Sequence, residues 1–232
     1  MIADNITRVR ERITEAALRA RRDPEQVELM AVTKTVPAER IREAYQAGVR
    51  LFGENRVQEF ETKHPELRTL GEARFHMIGH LQRNKAARAI ALFHAIESLD
   101  SWRLAAALNE YAAEPGTSFP VLLEINVGGE EQKSGLAPDS PELERILVGA
   151  PEFSNLRIQG LMTIPPYAED PQAARPYFRK LREVRDAIAR RSLPGVGMEV
   201  LSMGMSHDFE VAIEEGATRV RIGTAIFGER RS

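Results

Sequence analysis

The sequence has no cysteine, one tryptophan and no long uninterrupted run of hydrophobic residues. The absence of cysteine excludes disulfides, thiolate metal sites, iron–sulfur clusters and cysteine nucleophiles. A membrane-spanning helix needs about 20 consecutive apolar residues, and no stretch approaches this length. Residues 1–16 carry charges every few positions and lack the apolar core of a signal peptide. We therefore expect a cytoplasmic protein with no membrane contact.

Neither sign of charge predominates, because 32 lysines and arginines stand against 34 aspartates and glutamates, for a formal net charge of -2. Proteins that bind nucleic acid usually carry an excess or a patch of positive charge. A basic cluster at Arg83, Lys85 and Arg88 lacks neighbouring aromatic residues on which bases could stack. We therefore predict a solvated helix face there and no nucleic-acid partner. Hydrophobic residues at 43% and charged residues at 28% are typical of a folded globular protein.

Strand-like and helical segments alternate along the chain. Ile6, Val9, Ile13 and Ala17 recur at the three- and four-residue spacing of a helix. Eight strands are predicted after it, at residues 27–32, 49–53, 73–78, 92–98, 119–127, 156–163, 198–203 and 218–227. Helices are predicted between them, at residues 37–45, 55–62, 81–90, 101–113, 140–149, 171–191 and 207–215.

This alternation predicts the fold class. Strands that alternate with helices form parallel sheets, and eight such units indicate a closed (β/α)8 TIM barrel more than an open doubly wound sheet. We therefore predict an α/β protein with a single (β/α)8 barrel and an extra N-terminal helix. No linker rich in Gly, Ser or Pro divides the chain, so one domain is expected over residues 1–232.

Lys34 is the first candidate for chemistry, because functional residues of such barrels follow the carboxyl ends of the strands. Burial at the end of an apolar strand would lower the pKa of its ammonium, and a neutral amine can form a Schiff base with a carbonyl carbon. A lysine that extends its charge into solvent is an equally good interpretation of this position. The other lysines are weaker candidates, since they lie in polar helical segments or a loop: Lys63, Lys85, Lys133 and Lys180.

Small and polar residues follow strands seven and eight, in the segments 202–206 and 221–224. The loops after these two strands often bind a phosphate group. Gly204 and Gly223 would let backbone N–H groups approach it closely, and Ser206 can cap the following helix while its hydroxyl faces the anion. Ordinary turn chemistry explains the same residues. Asp208 would repel a phosphate if its carboxylate pointed inward.

Arg221 lies in an otherwise apolar strand and needs a partner, because an unpaired buried charge is costly. The partner can be a carboxylate, a phosphate or a ligand nitrogen. A reactive lysine, a phosphate cradle and a buried arginine together describe a site for pyridoxal 5′-phosphate (PLP). An arginine against the pyridine nitrogen would disfavour its protonation and weaken the ring as an electron sink, which argues against demanding carbanion chemistry.

Seven segments in order along the chain resemble those of a known family, at residues 31–35, 52–59, 76–85, 133–135, 160–165, 201–206 and 220–228. The sequence is similar to the YggS/PROSC family of pyridoxal phosphate homeostasis proteins, which share the barrel of bacterial alanine racemase. The resemblance runs from about residue 5 to residue 230.

The resemblance implies roles for nine residues in binding PLP. Lys34 matches the lysine that forms the internal aldimine, and Arg221 matches the arginine that faces the pyridine nitrogen. The phosphate cradle is matched by Ser206, Gly223 and Thr224. Pocket-lining positions are matched by Asn55, His80, Met162 and Ser202. No catalytic residue and no metal site are expected: His76, His80 and His94 lack the helical spacing of a zinc site, and His207 is expected on the surface.

The resemblance therefore implies a PLP-binding protein of intracellular homeostasis, a monomer whose partners are PLP and, transiently, PLP-dependent apoenzymes. Racemases of this barrel type add a C-terminal domain with a second catalytic residue, which two-sided proton exchange requires. An amino-acid racemase or related PLP enzyme is the alternative, with Tyr167 the tyrosine to test. A Schiff-base aldolase without cofactor is a third interpretation.

Overall fold

The computed structural model describes residues 1–112, 118–130 and 134–229. Within these ranges the strands are β1 (Glu28–Val32), β2 (Leu51–Glu54), β3 (Arg74–Met77), β4 (Ala95–Leu99), β5 (Phe119–Glu124), β6 (Leu156–Met162), β7 (Val196–Met205) and β8 (Arg219–Ile222). The helices are α1 (Ile2–Arg19), α2 (Ala38–Gln46), α3 (Val57–Leu67), α4 (Ala86–Leu92), α5 (Trp102–Tyr111), α6 (Pro141–Val148), α7 (Arg175–Ala189), α8 (Phe209–Glu214) and α9 (Thr224–Phe227). Short 3-10 turns lie at Pro24–Gln26, Arg83–Lys85, Ala150–Glu152 and Pro171–Ala174.

The eight strands form a closed, all-parallel barrel in sequence order, with β8 paired to β1. Ala31 in β1 pairs with Phe52 on one side and with Ile222 on the other. The predicted (β/α)8 barrel with an additional N-terminal helix is therefore confirmed. Its closure brings the ends of β1, β7 and β8 together, although these segments are far apart in the chain.

Helix α1 packs against α2, α8 and α9, and it takes a place in the outer ring of helices. It buries a stripe of apolar side chains that includes Ile6, Val9 and Ile13. Asn5 Nδ2 donates a hydrogen bond to the carbonyl of Ile226, 2.8 Å away. Since α9 after β8 is four residues long, α1 occupies the position that a full-length eighth helix would fill.

The largest error in the predicted elements concerns the last strand. The run 218–227 was predicted as one strand, but β8 ends at Ile222 and the apolar residues after Gly223 form α9. A short apolar run does not distinguish a buried strand from a buried helix. Ile226 and Phe227 are buried, which both structures would require.

Other element boundaries differ by smaller amounts. Strand β7 is longer than the predicted 198–203, α3 covers 57–67 instead of 55–62, and α4 extends to Leu92, so that β4 begins at Ala95. The predicted helices at 81–90 and 171–191 each begin with a 3-10 turn. The predicted helix 101–113 ends at Tyr111, and residue 113 lies outside the described residues.

Alternate strand residues point outward and inward. The outward ones form the main hydrophobic core between barrel and helices, whereas the apolar cluster of Met30, Leu51, Ile78 and Val32 is separate from it. Much of the remaining interior is charged or polar. None of the helices in the described residues is long and apolar enough to cross a membrane.

Candidate functional site

A line of alternating charges runs through the barrel interior. At one end, Arg74 Nη2 lies 2.8 Å from Glu28 Oε1. Glu28 Oε2 is 2.6 Å from Arg219 Nη2, and Arg219 Nη1 is 2.6 Å from Glu97 Oε1. We refer to Glu28, Arg219 and Glu97 as the interior charge column. Arg219 and Glu97 are buried, and their charges are tolerated because each has an opposite charge within hydrogen-bond distance.

Glu97 is the most strongly bonded residue of the column. Its Oε2 accepts a hydrogen bond of 2.6 Å from Ser202 Oγ, and its Oε1 lies 2.8 Å from His76 Nδ1. Burial opposes ionisation of this carboxyl, but the charge of Arg219 and the bonds from His76 and Ser202 lower its pKa to about 2. Burial lowers the pKa of His76, so a neutral imidazole donates Nδ1–H to the Glu97 carboxylate.

Arg221 continues this line toward the end of the barrel where the strands finish. Its Nη1 donates to Ser202 Oγ at 2.9 Å, and its Nη2 donates to the carbonyl of Thr163 at 2.7 Å. Among the described residues, Arg221 is thus hydrogen-bonded to a hydroxyl and a carbonyl, whereas the carboxylates of Glu28 and Glu97 bind Arg219. Burial lowers the pKa of Arg221, which is 3% exposed.

Ser206 joins the loop after β7 to the start of α9. Its Oγ accepts hydrogen bonds from the backbone N–H groups of Gly223, at 3.2 Å, and Ala225, at 3.3 Å. Ser206 was predicted to cap the helix that follows it, α8. This prediction was wrong, because its hydroxyl accepts hydrogen bonds at the start of α9 instead. Gly204 has a φ of +92°, which favours glycine, and a side chain there would clash with Phe209 and Ala212.

Asp208 stabilises the same loop. Its Oδ1 accepts a hydrogen bond of 2.6 Å from the backbone N–H of Met205, and the side chain is buried. Burial raises the pKa of this carboxyl. The carboxyl group of Asp208 thus accepts a hydrogen bond within the turn of its own loop.

Lys34 lies in the turn between β1 and α2 and is half-buried. The next residue, Thr35, has a φ of 62°, an uncommon conformation for a β-branched residue. A methyl group at Gly223 would lie 3.6 Å from both the Cβ and the carbonyl oxygen of Val32. The Lys34 turn and the Ser206–Gly223 segment are thus neighbours at one rim of the barrel.

The residues on both sides of Lys34 are bound by side chains of β2 and α3. Glu54 Oε1 accepts a hydrogen bond of 2.7 Å from Thr33 Oγ1, and Glu59 Oε1 accepts one of 2.5 Å from Thr35 N. Lys63 Nζ lies 3.1 Å from Glu54, 2.6 Å from Glu59 and 2.9 Å from the carbonyl of Thr33. Lys63, expected in a polar helical segment, has a side chain only 11% exposed.

The four predicted pocket-lining residues occupy different settings. Ser202 and Met162 are buried, and their backbones pair directly in the barrel. Asn55 is half-buried at the end of β2, where a methyl group at Gly79 would lie 2.4 Å from its carbonyl oxygen. His80 is exposed, and its Nδ1 lies 3.0 Å from Asp100 Oδ2. Thr224, predicted for the phosphate cradle, is exposed at the start of α9.

Two further residues have the settings expected of surface side chains. His207 is exposed and its Nε2 lies 2.8 Å from the carbonyl of Glu169. The ring of Tyr167 is 5.8 Å from the His207 ring, and the residue is 79% exposed.

Lys133 lies outside the described residues. Over the described ranges, no group of three or more His, Asp or Glu side chains could hold a metal ion.

Sequence reasoning missed Glu97, Arg219 and Lys63. One signal was present for the arginine: Arg219 and Arg221 alternate along β8, so both side chains point to the same face of the strand. Glu28 has the register position opposite Arg219, but a register between the first and last strands is not visible in local patterns.

Comparisons with known proteins agree over nearly the whole chain. Residues 3–231 match the family model for alanine racemase, N-terminal domain. A pyridoxal phosphate homeostasis protein from Aquifex aeolicus is 48% identical over 228 residues, which cover 98% of each chain. The structure of PipY from Synechococcus elongatus PCC7942, solved with PLP bound, is 37% identical with a TM-score of 0.82, and the match covers 98% of this chain and 100% of that one.

A more distant structure shares the fold alone. The alanine racemase of Clostridium difficile 630 is 18% identical with a TM-score of 0.70. The match covers 99% of this chain but 58% of the racemase. The expected likeness to the alanine racemase N-terminal barrel is thus confirmed.

Proposed function

Because the chain belongs to the pyridoxal phosphate homeostasis protein family, we propose that it binds PLP at the rim of the barrel that carries Lys34. In this proposal PLP is held by a Schiff base to the Lys34 amine and is made available to other proteins, without robust catalysis by this chain. One observation carries the proposal: the Lys34 turn lies beside the Ser206–Gly223 segment, since Ala31 pairs with Ile222 and a methyl group at Gly223 would lie 3.6 Å from Val32. The PLP-bound relative supports the same ligand.

The residues present fit this ligand. The Ser206 oxygen accepts hydrogen bonds from two backbone N–H groups, so its own O–H is left to donate to a phosphate oxygen bound beside these groups. Asn55, His80, Met162 and Ser202 would line the pocket, and Thr224 would complete the phosphate cradle with Ser206 and Gly223. When bound, PLP supplies an aldehyde carbon for attack by an amine and a ring that withdraws electrons.

Arg221 supports the proposed lack of robust catalysis. The guanidinium is held by Ser202 and Thr163 and would face the pyridine nitrogen. A cation at this place disfavours protonation of the nitrogen and weakens the ring as an electron sink. Ser202 is itself bonded to Glu97, so the guanidinium is fixed before any ligand binds.

The second candidate function is that of an amino-acid racemase or a related PLP enzyme. Such an enzyme needs a second acid–base group across the ring from the lysine. Tyr167, the tyrosine proposed for that role, is 79% exposed, and its ring is tilted by 36° against that of His207. We therefore favour a carrier, a cytoplasmic monomer with one domain that contacts PLP-dependent apoenzymes transiently.

The linkage is tested by adding PLP to purified protein, recording the visible absorbance and reducing with borohydride before peptide mapping. We expect the wild type to carry the reduced adduct on Lys34, and Lys34→Ala to lose both the absorbance band and the label. Lys180→Ala is the control, because Lys180 is exposed on α7. Label on another lysine of the wild type, or no label, would refute the assignment.

The carrier and enzyme proposals are separated with the loaded protein. A carrier should restore activity to a PLP-dependent apoenzyme, and this recovery should depend on the amount of loaded protein added. An enzyme should instead exchange the α-proton of an amino acid in deuterated water. Rapid exchange in the wild type that Tyr167→Phe abolishes would favour the racemase.

A further inference from the structure

Glu124 stands on the inner face of the barrel beside residues of the proposed site. It is the last residue of β5 and pairs in register with Met162, which pairs in turn with Ser202. Directly paired residues of parallel strands point to the same face. Glu124 therefore shares the inner face with Met162 and Ser202, one and two strands away from it.

The two oxygens of the Glu124 carboxyl have different settings. Oε1 accepts a hydrogen bond of 3.2 Å from Ser134 Oγ. Oε2 is buried and has no hydrogen-bond partner among the residues that the structure describes. The residue as a whole is 6% exposed. A buried polar atom without a partner is uncommon and needs an explanation.

Charged groups from several strands surround this carboxyl. Asp100 follows β4, His80 follows β3 and is bonded to Asp100, and Arg221 extends from β8. Burial raises the pKa of Glu124, and the negative charge of Asp100 acts in the same direction. The bond from Ser134 and the charges of Arg221 and His80 oppose the rise without cancelling it.

We propose that Glu124 is a further ligand-contacting residue of this site, and that as a neutral carboxylic acid it donates the hydrogen on Oε2 to an anionic oxygen of bound PLP. This inference rests on the proposed function. Because Oε1 already accepts the bond from Ser134, the proton belongs on Oε2, the oxygen without a partner. An ionised Glu124 would instead repel an anionic ligand.

Proton uptake follows from this arrangement. An anion bound beside Glu124 raises the pKa of the carboxyl further, so that binding above the pKa of the ligand-free protein takes up a proton. The dissociation constant for PLP should then increase with pH. The titrations of PLP itself contribute equally to any variant, so the part due to Glu124 is obtained by comparison.

The experiment measures the dissociation constant for PLP from about pH 6 to about pH 8.5 in the wild type, Glu124→Gln, Glu124→Leu and Glu144→Gln. Glutamine keeps an N–H donor at the position of Oε2 and cannot titrate. The ratio of the wild-type constant to that of Glu124→Gln should rise with pH, by up to about tenfold per unit between the free and bound pKa values. Glu124→Leu should bind more weakly than wild type at the lowest pH.

Glu144, an exposed partner of Arg191, is the matched control, and Glu144→Gln should follow the wild-type curve. Parallel curves for wild type and Glu124→Gln, with Lys34 still labelled, would overturn the role of Glu124 and leave the proposed function intact. Wild-type affinity in Glu124→Leu at the lowest pH would do the same. A wild type that does not bind PLP would overturn both proposals.

Discussion

Arg219 and Arg221 lie two residues apart on β8 and have opposite electrostatic settings. Burial opposes the charge of Arg219, but Glu97 and Glu28 raise its pKa. Arg221 is bonded to a hydroxyl and a carbonyl, and burial lowers its pKa. Arg219 is therefore paired with two carboxylates, whereas the hydrogen bonds of Arg221 go to uncharged groups.

From the interior charge column we predict how the free energy of unfolding depends on pH in acid. Glu97 is ionised in the folded protein down to about pH 2, and a carboxyl with a lowered folded pKa stabilises the fold above its unfolded pKa. This contribution is lost as pH falls through the folded value. At neutral pH, Glu97→Gln should lower the free energy of unfolding by about 3 kcal/mol, because it leaves the charge of Arg219 partly uncompensated.

Urea denaturation at several pH values tests this prediction. The difference in unfolding free energy between wild type and Glu97→Gln should be largest above about pH 4.5 and should close toward about pH 2. Glu72→Gln is the control, because Glu72 pairs with Arg50 on the surface. A difference that stays constant with pH would show that Glu97 stabilises by packing rather than by charge.

At the scale of elements, the turn between β1 and α2 is held by its neighbours. Thr35 keeps a φ of 62°, and residues in such conformations persist when surrounding structure fixes them. Here Glu54 and Glu59 bind the residues on either side of Lys34, and Lys63 joins these two carboxylates. The position of the Lys34 backbone thus depends on β2 and α3.

Replacing Lys63 should affect both stability and ligand binding. Lys63→Met leaves the fully buried Glu54 without its cation, so the free energy of unfolding should fall by about 3 kcal/mol. Labelling of Lys34 with PLP and borohydride should become slower, because the turn loses its support. Lys180→Met provides the comparison, measured by the same denaturation and labelling.

A second substitution separates charge from shape. Adding Glu54→Gln to Lys63→Met removes the uncompensated charge, so part of the lost stability should return. An effect of Lys63→Met no larger than that of Lys180→Met would contradict the assigned role.

The sequence predicts elements well where the physical signal is local. Apolar runs ending in polar residues locate Lys34, Ser206 and Arg221 at strand ends, since periodicity and turn residues are short-range features. The boundary between β8 and α9 was missed, because Ile226 and Phe227 are apolar in either structure. Glu97 and Arg219 are 122 residues apart in the chain, and only barrel closure makes them partners.

For the whole molecule, eight parallel strands need a complete ring of helices to cover their outer face. Helix α1 completes the ring from the opposite end of the chain, packed against α8 and α9. Arg22 Nη1 adds hydrogen bonds to the carbonyls of Ile213 and Ala217. Removing residues 1–22 would therefore expose apolar surface, and we expect such a chain to aggregate.

Helix α1 covers the barrel by packing against α8 and α9. We therefore expect that its place in the ring of helices does not require the covalent connection to β1. Asn5 contacts Ile226, so the two ends of the described chain lie close together. A circular permutant that begins at Asp23 and carries residues 1–22 after a glycine–serine linker at Glu229 should retain the fold. Circular dichroism and urea denaturation should give a cooperative transition within about 2 kcal/mol of wild type. A permutant that fails to fold would mean that the connection itself, and not only the contact, is required. A permutant that folds would show that packing contacts alone place α1 in the ring of helices, and that the chain can begin at β1 as well as at α1.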